Sequence, residues 1–483
     1  MLLRAVPEVL MGPYVVGFDT MAHYVPTSML WLSGGVDLWR YIATAPLFYT
    51  LIVSLVSGGA PLILVLKVIP PLLHGLLGLS IYGYAKRGLG WSPRKSVFTA
   101  LLGTLYFVAL RISWDLLRNE LALIFFFVVL TLLAKGESGK YTWKRCLMAS
   151  LAMLAVVLSH QLVAVIMFGV IVFTVICTFV KKERVKAATL FAVTLPAVLL
   201  FFASVYLSPA VSEFRLIFGF PATNDGWLQL FGFASYPELL MGEAGFFLYC
   251  FLPLLALVVL SVKRFGNFQM RAWILLIFVA SLIPMASPSN LRWIMLLVYP
   301  FAFYVSETLS MIRAVKWKRF GITLRRVAIV YLVLSTAFLS LGFMLQTPED
   351  PSAYFDAGKY NAYIYQVPSS MLQNTVSIAD CKDTVNALNW YKDNIGGDAV
   401  LLSHRAFYGW ALSALNENQV VLYEYDNPVQ AAATVSLQGN GAVYLVWWVN
   451  GQGWYGQPSV SSSFEQVYQS GKIAIYEYVP SGV

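Results

Sequence analysis

Residues 62–95 read LILVLKVIPPLLHGLLGLSIYGYAKRGLGWSPRK, an apolar run that ends in a basic linker. A helix needs about 20 predominantly apolar residues to cross the hydrocarbon core of a bilayer. Further apolar segments of comparable character follow at about 96–114, 119–134, 146–159, 161–180, 187–207, 244–262, 270–286, 291–309 and 326–345. This repetition predicts a polytopic α-helical membrane protein.

The composition agrees with that class. Hydrophobic residues make up 59% of the 483 and charged residues only 12%, whereas soluble domains carry about 25% charged residues. The four cysteines form no CxxC pair and the four histidines are scattered, so neither a disulfide framework nor a histidine-based zinc site is predicted. The sequence also lacks Walker, HExxH and GxSxG motifs.

The charges divide the chain into two parts. After Gln346 there are 5 Lys+Arg and 12 Asp+Glu, whereas the first 346 residues hold 28 Lys+Arg and 12 Asp+Glu. We therefore predict a multi-spanning membrane domain over 1–346 and a soluble α/β domain over 347–483.

The second domain shows alternating strand and helix patterns. DTVNALNWYKDNI predicts a helix capped by Asp383, and NPVQAAATVSL predicts a crossover helix. Such alternation predicts a mostly parallel sheet, whose strand candidates are AVLLS, VVLYEY, AVYLVWWV and KIAIYEYV.

Basic linkers predict the orientation of the membrane domain. By the positive-inside rule, the linkers richest in Lys and Arg face the cytoplasm: KRGLGWSPRK, KGESGKYTWKR, KKERVK, KRFGNFQMR and RAVKWKRFGITLRR. The linkers 114–119, 159–161, 208–243 and 286–292 then face outside, as does the tail.

The same alternation places the polar stretch GFDTMAHY, residues 17–24. The segment Ile42–Ser57 is short and contains Pro46, which favours a segment that lies along the outer surface or re-enters. GFDTMAHY is then outside, so that Asp19, Asp115, His160 and Arg292 share one face of the membrane. An outer-loop aspartate alone would be ordinary, but this convergence predicts a functional site.

Charged groups near the hydrocarbon core are costly and are functional candidates. In RISWDLLRNELAL, helical spacing puts Arg111, Asp115, Arg118 and Asn119 on one face, either as a self-neutralising ion pair or as part of a site. Glu120 points elsewhere.

Three further side chains leave alternatives open. Lys67 is either a phosphate ligand or a lysine that reaches the headgroups. His160 is a base, a ligand or a helix cap, and Arg292 lies at an outer helix end, where an anionic substrate would explain a base. His74 is predicted to be a hydrogen-bonded packing residue.

These stretches resemble the GT-C superfamily of membrane glycosyltransferases, which includes protein mannosyltransferases, aminoarabinose transferases and oligosaccharyltransferases. GFDTMAHY resembles the first outer-loop motif and APLFYTLI the surface helix that follows. WDLLRNELALIFFFVVL, LSHQLVAVI and NLRWIMLLVYPFAF resemble later parts, and the similarity reaches ALNWYKDNIGGDAVLLSHRAFYGWALSAL in the tail. Their order and shared side are the specific features. The resemblance implies a GT-C-like helix bundle in the cell membrane with an extracytoplasmic α/β domain.

The resemblance also implies an activity. It implies transfer of a sugar from a polyprenyl-phosphate donor to a protein, lipid or glycan acceptor at the outer face, with inversion. The implied catalytic residues are Asp19, Asp115, Glu120 and His160. Lys67, Arg118 and Arg292 would bind the donor phosphate, and His23 and Tyr24 would contact donor or acceptor.

Two features depart from the superfamily pattern. Arg118 stands where oligosaccharyltransferases have a carboxylate, so three alternatives stay open: Mg²⁺ or Mn²⁺ on Asp19 and Glu120, a role for Asp115, or no metal. Only Met1–Met11 precede the first loop, where the superfamily has a full spanning helix, and this predicts a truncated start. The alternative functions are a flippase or transporter of lipid-linked saccharide and an assembly subunit.

Overall fold

The computed structural model describes residues 1–34, 41, 46–137, 141–206, 235–282, 290–312, 323–346, 376–395, 397–423, 427–437, 441–449 and 460–479. The predicted apolar segments are mainly helical over their described residues, with breaks at Tyr106 in segment 96–114 and at Leu296–Leu297 in segment 291–309. The membrane-domain helices are α1 (Leu2–Leu10), α2 (Val25–Leu32), α3 (Pro46–Ser57), α4 (Leu62–Gly83), α5 (Pro93–Leu105), α6 (Phe107–Asp115), α7 (Leu117–Glu137), α8 (Trp143–Ser159), α9 (Gln161–Val180), α10 (Arg184–Tyr206), α11 (Tyr236–Ser261), α12 (Phe268–Leu282), α13 (Asn290–Met295), α14 (Val298–Met311) and α15 (Leu324–Leu345).

Several of these helices can span a membrane. Within the described ranges, seven are long and apolar enough, or eight when the bent pair α5–α6 is one span. On α4, Leu66 and Leu73 are buried, whereas Leu64, Val68 and Leu72 are exposed. In water such a face would be costly, but lipid tails solvate it, so the chain is a multi-pass membrane protein. Parts of the predicted linkers 208–243, 286–292 and 313–326, namely residues 208–234, 286–289 and 313–322, lie outside the described residues.

The break between α5 and α6 is a defined corner. The two helices meet at 59° because Tyr106 is extended, with φ −66° and ψ 138°. The break leaves backbone carbonyls that need donors. His74 contacts the Thr104 carbonyl at 2.7 Å, and the Ser340 hydroxyl donates to the Leu105 carbonyl.

A second corner follows at Leu116, which has φ −91° and ψ 51°. The sequence predicts that Arg111, Asp115, Arg118 and Asn119 share one face of a continuous helix. This is wrong because the helix ends at Asp115 and a new one begins at Leu117. The corner puts Asp115 at the C-terminus of α6 and Arg118 in the first turn of α7.

The first loop folds back onto this corner. It contains a π-helical turn, Thr20–Tyr24, that leads into α2. Gly17 has φ +99°, and a Cβ there would lie 2.3 Å from Asp115 Oδ1, so only glycine permits this approach. The following helix α3 has 12 residues, about 18 Å at 1.5 Å per residue. It is too short to cross a bilayer, as its length in the sequence predicts.

The C-terminal domain carries a five-stranded mixed sheet of order β2-β1-β3-β5-β4. Strand β1 pairs in parallel with β2 and β3, whereas β5 pairs antiparallel with β3 and β4. The prediction of a mostly parallel sheet therefore holds for one half only. The strands are β1 (Val400–His404), β2 (Val420–Tyr423), β3 (Val443–Trp448), β4 (Phe464–Ser470) and β5 (Ile473–Tyr478), and the helices are α16 (Cys381–Asn394), α17 (Arg405–Ala414) and α18 (Pro428–Leu437).

One detail of this domain corrects the sequence reading. Asp380, and not Asp383, occupies the N-cap position of α16. Asp383 lies in the first helical turn, where its Oδ1 accepts a hydrogen bond from the Ser470 hydroxyl at 3.0 Å. The carboxylate predicted to cap the helix instead joins the helix to the end of β4.

The C-terminal domain touches the membrane domain through α17. A Cβ on Gly409 would lie 2.6 Å from the Met21 carbonyl carbon and 2.7 Å from the Ala22 nitrogen. The ring of Trp410 meets that of Tyr14 edge-on, with centroids 6.2 Å apart. Helix α17 therefore rests directly on the π-helical turn of the first loop.

Candidate functional site

Asp115 is the centre of the acidic side. Its carboxylate is 2% exposed, and its Oδ2 lies 2.9 Å from Arg111 Nη1, one helical turn earlier. The ion pair that the sequence predicts for these two residues is therefore present, and a role for Asp115 in a site stays a prediction. Asp19, half-buried in the first loop, is an electrostatic neighbour of Asp115. The structure therefore brings together the two carboxylates that the sequence places on one face.

Tyr24 ties the loop to the corner. Its hydroxyl donates to the Asp115 carbonyl at 2.7 Å, and its ring packs against Phe48 with centroids 5.0 Å apart. Burial raises the pKa of Tyr24 well above its ordinary value, and the charge of Asp19 adds to this effect. The phenol therefore stays protonated and keeps donating its hydrogen bond.

Beside this acidic pair lies a basic group, which consists of Arg118, His160 and Arg292. Arg118 is half-buried, its guanidinium carbon is 5.9 Å from the centroid of Tyr49, and its Nε is buried without a hydrogen bond within the described residues. Arg118 is also an electrostatic neighbour of Tyr24, whose hydroxyl bonds Asp115. The acidic and basic groups thus meet at the α6–α7 corner.

His160 joins the basic group from the junction of α8 and α9. Burial lowers the pKa of His160 well below its ordinary value, and the positive charges of Arg118 and Arg292 lower it further. Its Nδ1 is buried and makes no hydrogen bond to any described residue. Two guanidinium groups and a neutral imidazole, from three separate helix ends, thus form an arrangement suited to an anion.

Lys67 lies in a different charged cluster. Its ammonium donates to the carbonyls of Glu8 and Tyr14 and lies 3.8 Å from the Glu8 carboxylate. Glu8 in turn pairs with Arg4 at 2.9 Å. These contacts indicate a structural role for Lys67. Its role at the donor phosphate stays a prediction.

Sequence reasoning missed the buried pair Arg4 and Glu8. Arg4 Nε donates to the Ser113 carbonyl at 3.1 Å, and its guanidinium carbon lies 5.3 Å from the Trp114 ring centroid. Helix α1 therefore braces α6 just before Asp115. The signal in the sequence was an Arg–Glu pair at i and i+4 within an otherwise apolar helix.

Glu120 faces the bundle interior. It is fully buried, and its Oε1 lies 2.7 Å from His74 Nδ1. This confirms His74 as a hydrogen-bonded packing residue. The catalytic role of Glu120 stays a prediction.

The two predicted metal ligands have different neighbours. His74 bonds one oxygen of Glu120, whereas Asp19 adjoins Asp115. Within the described ranges, no group of three or more His, Cys, Asp or Glu side chains is placed to hold an ion. The site for Mg²⁺ or Mn²⁺ on Asp19 and Glu120 stays a prediction.

His23 lies on the open side of the first loop. Its side chain is exposed and meets Phe18 edge-on, with ring centroids 6.2 Å apart. Both Asp19 and His23 are therefore within reach of a molecule that approaches the loop.

Solved structures share this architecture. The chain resembles the arabinofuranosyltransferase AftD from Mycobacteria with a TM-score of 0.51 and 14% identity, over 99% of this chain and 40% of that one. It resembles the oligosaccharyltransferase AglB from Archaeoglobus fulgidus, in complex with an inhibitory peptide and a dolichol-phosphate, with a TM-score of 0.51 and 14% identity, over 93% and 69% of the two chains. The chain also resembles ArnT from Cupriavidus metallidurans, bound to undecaprenyl phosphate, with a TM-score of 0.48 and 12% identity, over 99% of this chain and 98% of that one.

Neither a protein-family model nor a curated protein matches the sequence. At these identities the likeness establishes the fold. The chain has the GT-C fold, a polytopic helix bundle followed by a smaller domain, and the sequence-based prediction of that fold is confirmed.

Proposed function

We propose that this chain is a membrane glycosyltransferase that moves a sugar from a polyprenyl-phosphate donor to an acceptor at the outer face of the membrane, with inversion. The observation that carries the proposal is the α6–α7 corner, where Asp19 and Asp115 adjoin the basic group of Arg118, His160 and Arg292. The dolichol-phosphate in the AglB complex supports a lipid phosphate as the anion.

The arrangement suits displacement at the anomeric carbon. The acceptor oxygen or nitrogen would attack C1 of the sugar as the bond between C1 and the phosphate oxygen breaks. The lipid phosphate would leave with the bonding electrons, and Arg118 and Arg292 would stabilise its charge. His160, neutral at pH 7, would offer a hydrogen bond to the phosphate.

Asp19 is the better candidate for the base. Asp115 is held by Arg111, whereas Asp19 is half-buried on the loop next to the exposed His23. A carboxylate in that position can take the proton that the acceptor loses. Asp115 would then keep the first loop in place and balance the positive charges at the α6–α7 corner.

Turnover by the purified protein in liposomes tests the proposal. Radiolabelled polyprenyl-phosphate sugars would be offered with peptide, lipid and glycan acceptors, with and without Mg²⁺ or Mn²⁺. Asp19→Asn should reduce turnover by at least about a hundredfold, the scale of a lost general base. Asp398→Asn, an exposed carboxylate of the C-terminal domain, is the matched control and should leave turnover unchanged.

The same experiment separates the transferase from a flippase. A flippase would use the basic group for the lipid phosphate but would not need a base. Transport of a fluorescent lipid-linked saccharide that survives Asp19→Asn, with no transfer by the unaltered protein to any acceptor, would favour the flippase.

A further inference from the structure

His74 and Glu120 form a buried pair whose protons can be counted. His74 is 1% exposed and Glu120 is fully buried. The Thr104 carbonyl, 2.7 Å from His74 Nε2, can only accept, so Nε2 carries a hydrogen. The 2.7 Å contact between Nδ1 and Glu120 Oε1 then needs one more proton, on either atom. In both arrangements the pair is electrically neutral, which suits the membrane interior.

The pair joins three helices at the first corner. His74 belongs to α4, the Thr104 carbonyl ends α5, and Glu120 lies in the first turn of α7. Ser340 of α15 supplies the other hydrogen bond to a carbonyl at this break. Everything between the two attachment points, from Leu105 to Asn119, is the segment that carries the site residues Asp115 and Arg118.

We propose that His74 and Glu120 act as one singly protonated unit that positions the segment between the two corners and holds Asp115 and Arg118 in place. Glu120 is then a positioning residue and not a base or a metal ligand. The inference rests on the proposed function only for its activity measurement.

The test compares two substitutions of one carboxylate. Glu120→Gln keeps a donor, because its amide N–H can bond Nδ1 of a neutral His74. Glu120→Ala leaves the buried Nδ1 of His74 without its hydrogen-bond partner. Such a loss lowers the folding equilibrium constant roughly tenfold or more. The melting temperature in detergent and the turnover in liposomes are measured for both, with Asp115→Asn as the reference for loss of a site carboxylate.

The proposal expects Glu120→Gln to keep the melting temperature and to keep turnover within about threefold. It expects Glu120→Ala to lower the melting temperature and to lose turnover about tenfold or more. Loss of turnover in Glu120→Gln at an unchanged melting temperature would overturn it, since a base or metal ligand behaves that way. An unchanged melting temperature in Glu120→Ala would overturn it too. The melting temperature tests the proposal even where the unaltered protein shows no transferase activity.

Discussion

At the scale of single residues, the site depends on how closely the first loop approaches Asp115. Gly17 has a positive φ, and a Cβ there would meet Asp115 Oδ1 at 2.3 Å and the Trp114 carbonyl at 2.7 Å. We therefore expect Gly17→Ala to push the loop off the corner, with a large loss of turnover and a lower melting temperature.

Gly12 provides the control for Gly17. It also has a positive φ, +59°, but apart from its chain neighbours no atom of the described residues lies within 4 Å of its Cβ position. Gly12→Ala thus carries the strain of a positive φ, about 1 kcal/mol, without the clash. Thermal unfolding and turnover of the two variants compare a positive φ alone with the contact to Asp115 and the larger strain of φ +99° at Gly17. Equal losses would show that the contact with Asp115 adds nothing.

We expect His160 to make the stability of the protein depend on pH. Its pKa is lowered by burial and by Arg118 and Arg292, so as pH falls below about 6.5 the unfolded chain takes up a proton that the folded chain does not. Stability is lost over that range by up to about 1.4 kcal/mol per pH unit. Melting temperatures at pH 7.5 and 5.5 should therefore differ more for the unaltered protein than for His160→Gln. Parallel slopes would contradict the buried neutral imidazole.

At the scale of elements, α17 packs against the first loop and keeps it in position. Its Gly409 has no room for a Cβ against the Met21 and Ala22 backbone. Gly409→Ala should therefore shift the loop that carries Asp19, at the usual cost of overpacking, about 1–3 kcal/mol, and should lower turnover about tenfold or more. Ser413→Ala on the same helix is the control, because among the described residues the Ser413 hydroxyl bonds just the nearby Trp410 carbonyl. Turnover that is equal in both variants would mean that α17 does not position the loop.

The helices themselves could be predicted because hydropathy alone determines which segments enter a membrane. The corners at Tyr106 and Leu116 could not, since the groups that stabilise the first, His74 and Ser340, come from distant helices. The same limit applies to partners. Asp115 and Arg111 lie one turn apart and could be paired from sequence, whereas Glu120 and His74 are 46 residues apart. Strand β4 was missed because it is an edge strand with mostly exposed, polar residues.

At the scale of the whole molecule, the charges and the proposed site together predict one orientation. The exposed Ser92 lies in a basic linker, which the positive-inside rule places in the cytoplasm. The first loop contacts the acidic C-terminal domain through α17, so both must lie on the same side. A transferase with an outer-face site therefore needs the loop and this domain outside together, and Ser92 inside.

Labelling of single cysteines in intact cells checks this orientation. The background would lack Cys146, Cys177, Cys250 and Cys381 and would carry His23→Cys, Leu437→Cys or Ser92→Cys, all at exposed positions. An impermeant thiol reagent should label the first two in intact cells and the third only after permeabilisation. Labelling of Ser92→Cys alone in intact cells would place Asp19 and the basic group in the cytoplasm and contradict transfer at the outer face. If the reagent labels Leu437→Cys but not His23→Cys, both in intact cells and after permeabilisation, α17 covers the loop. The acceptor must then reach Asp19 from the membrane side.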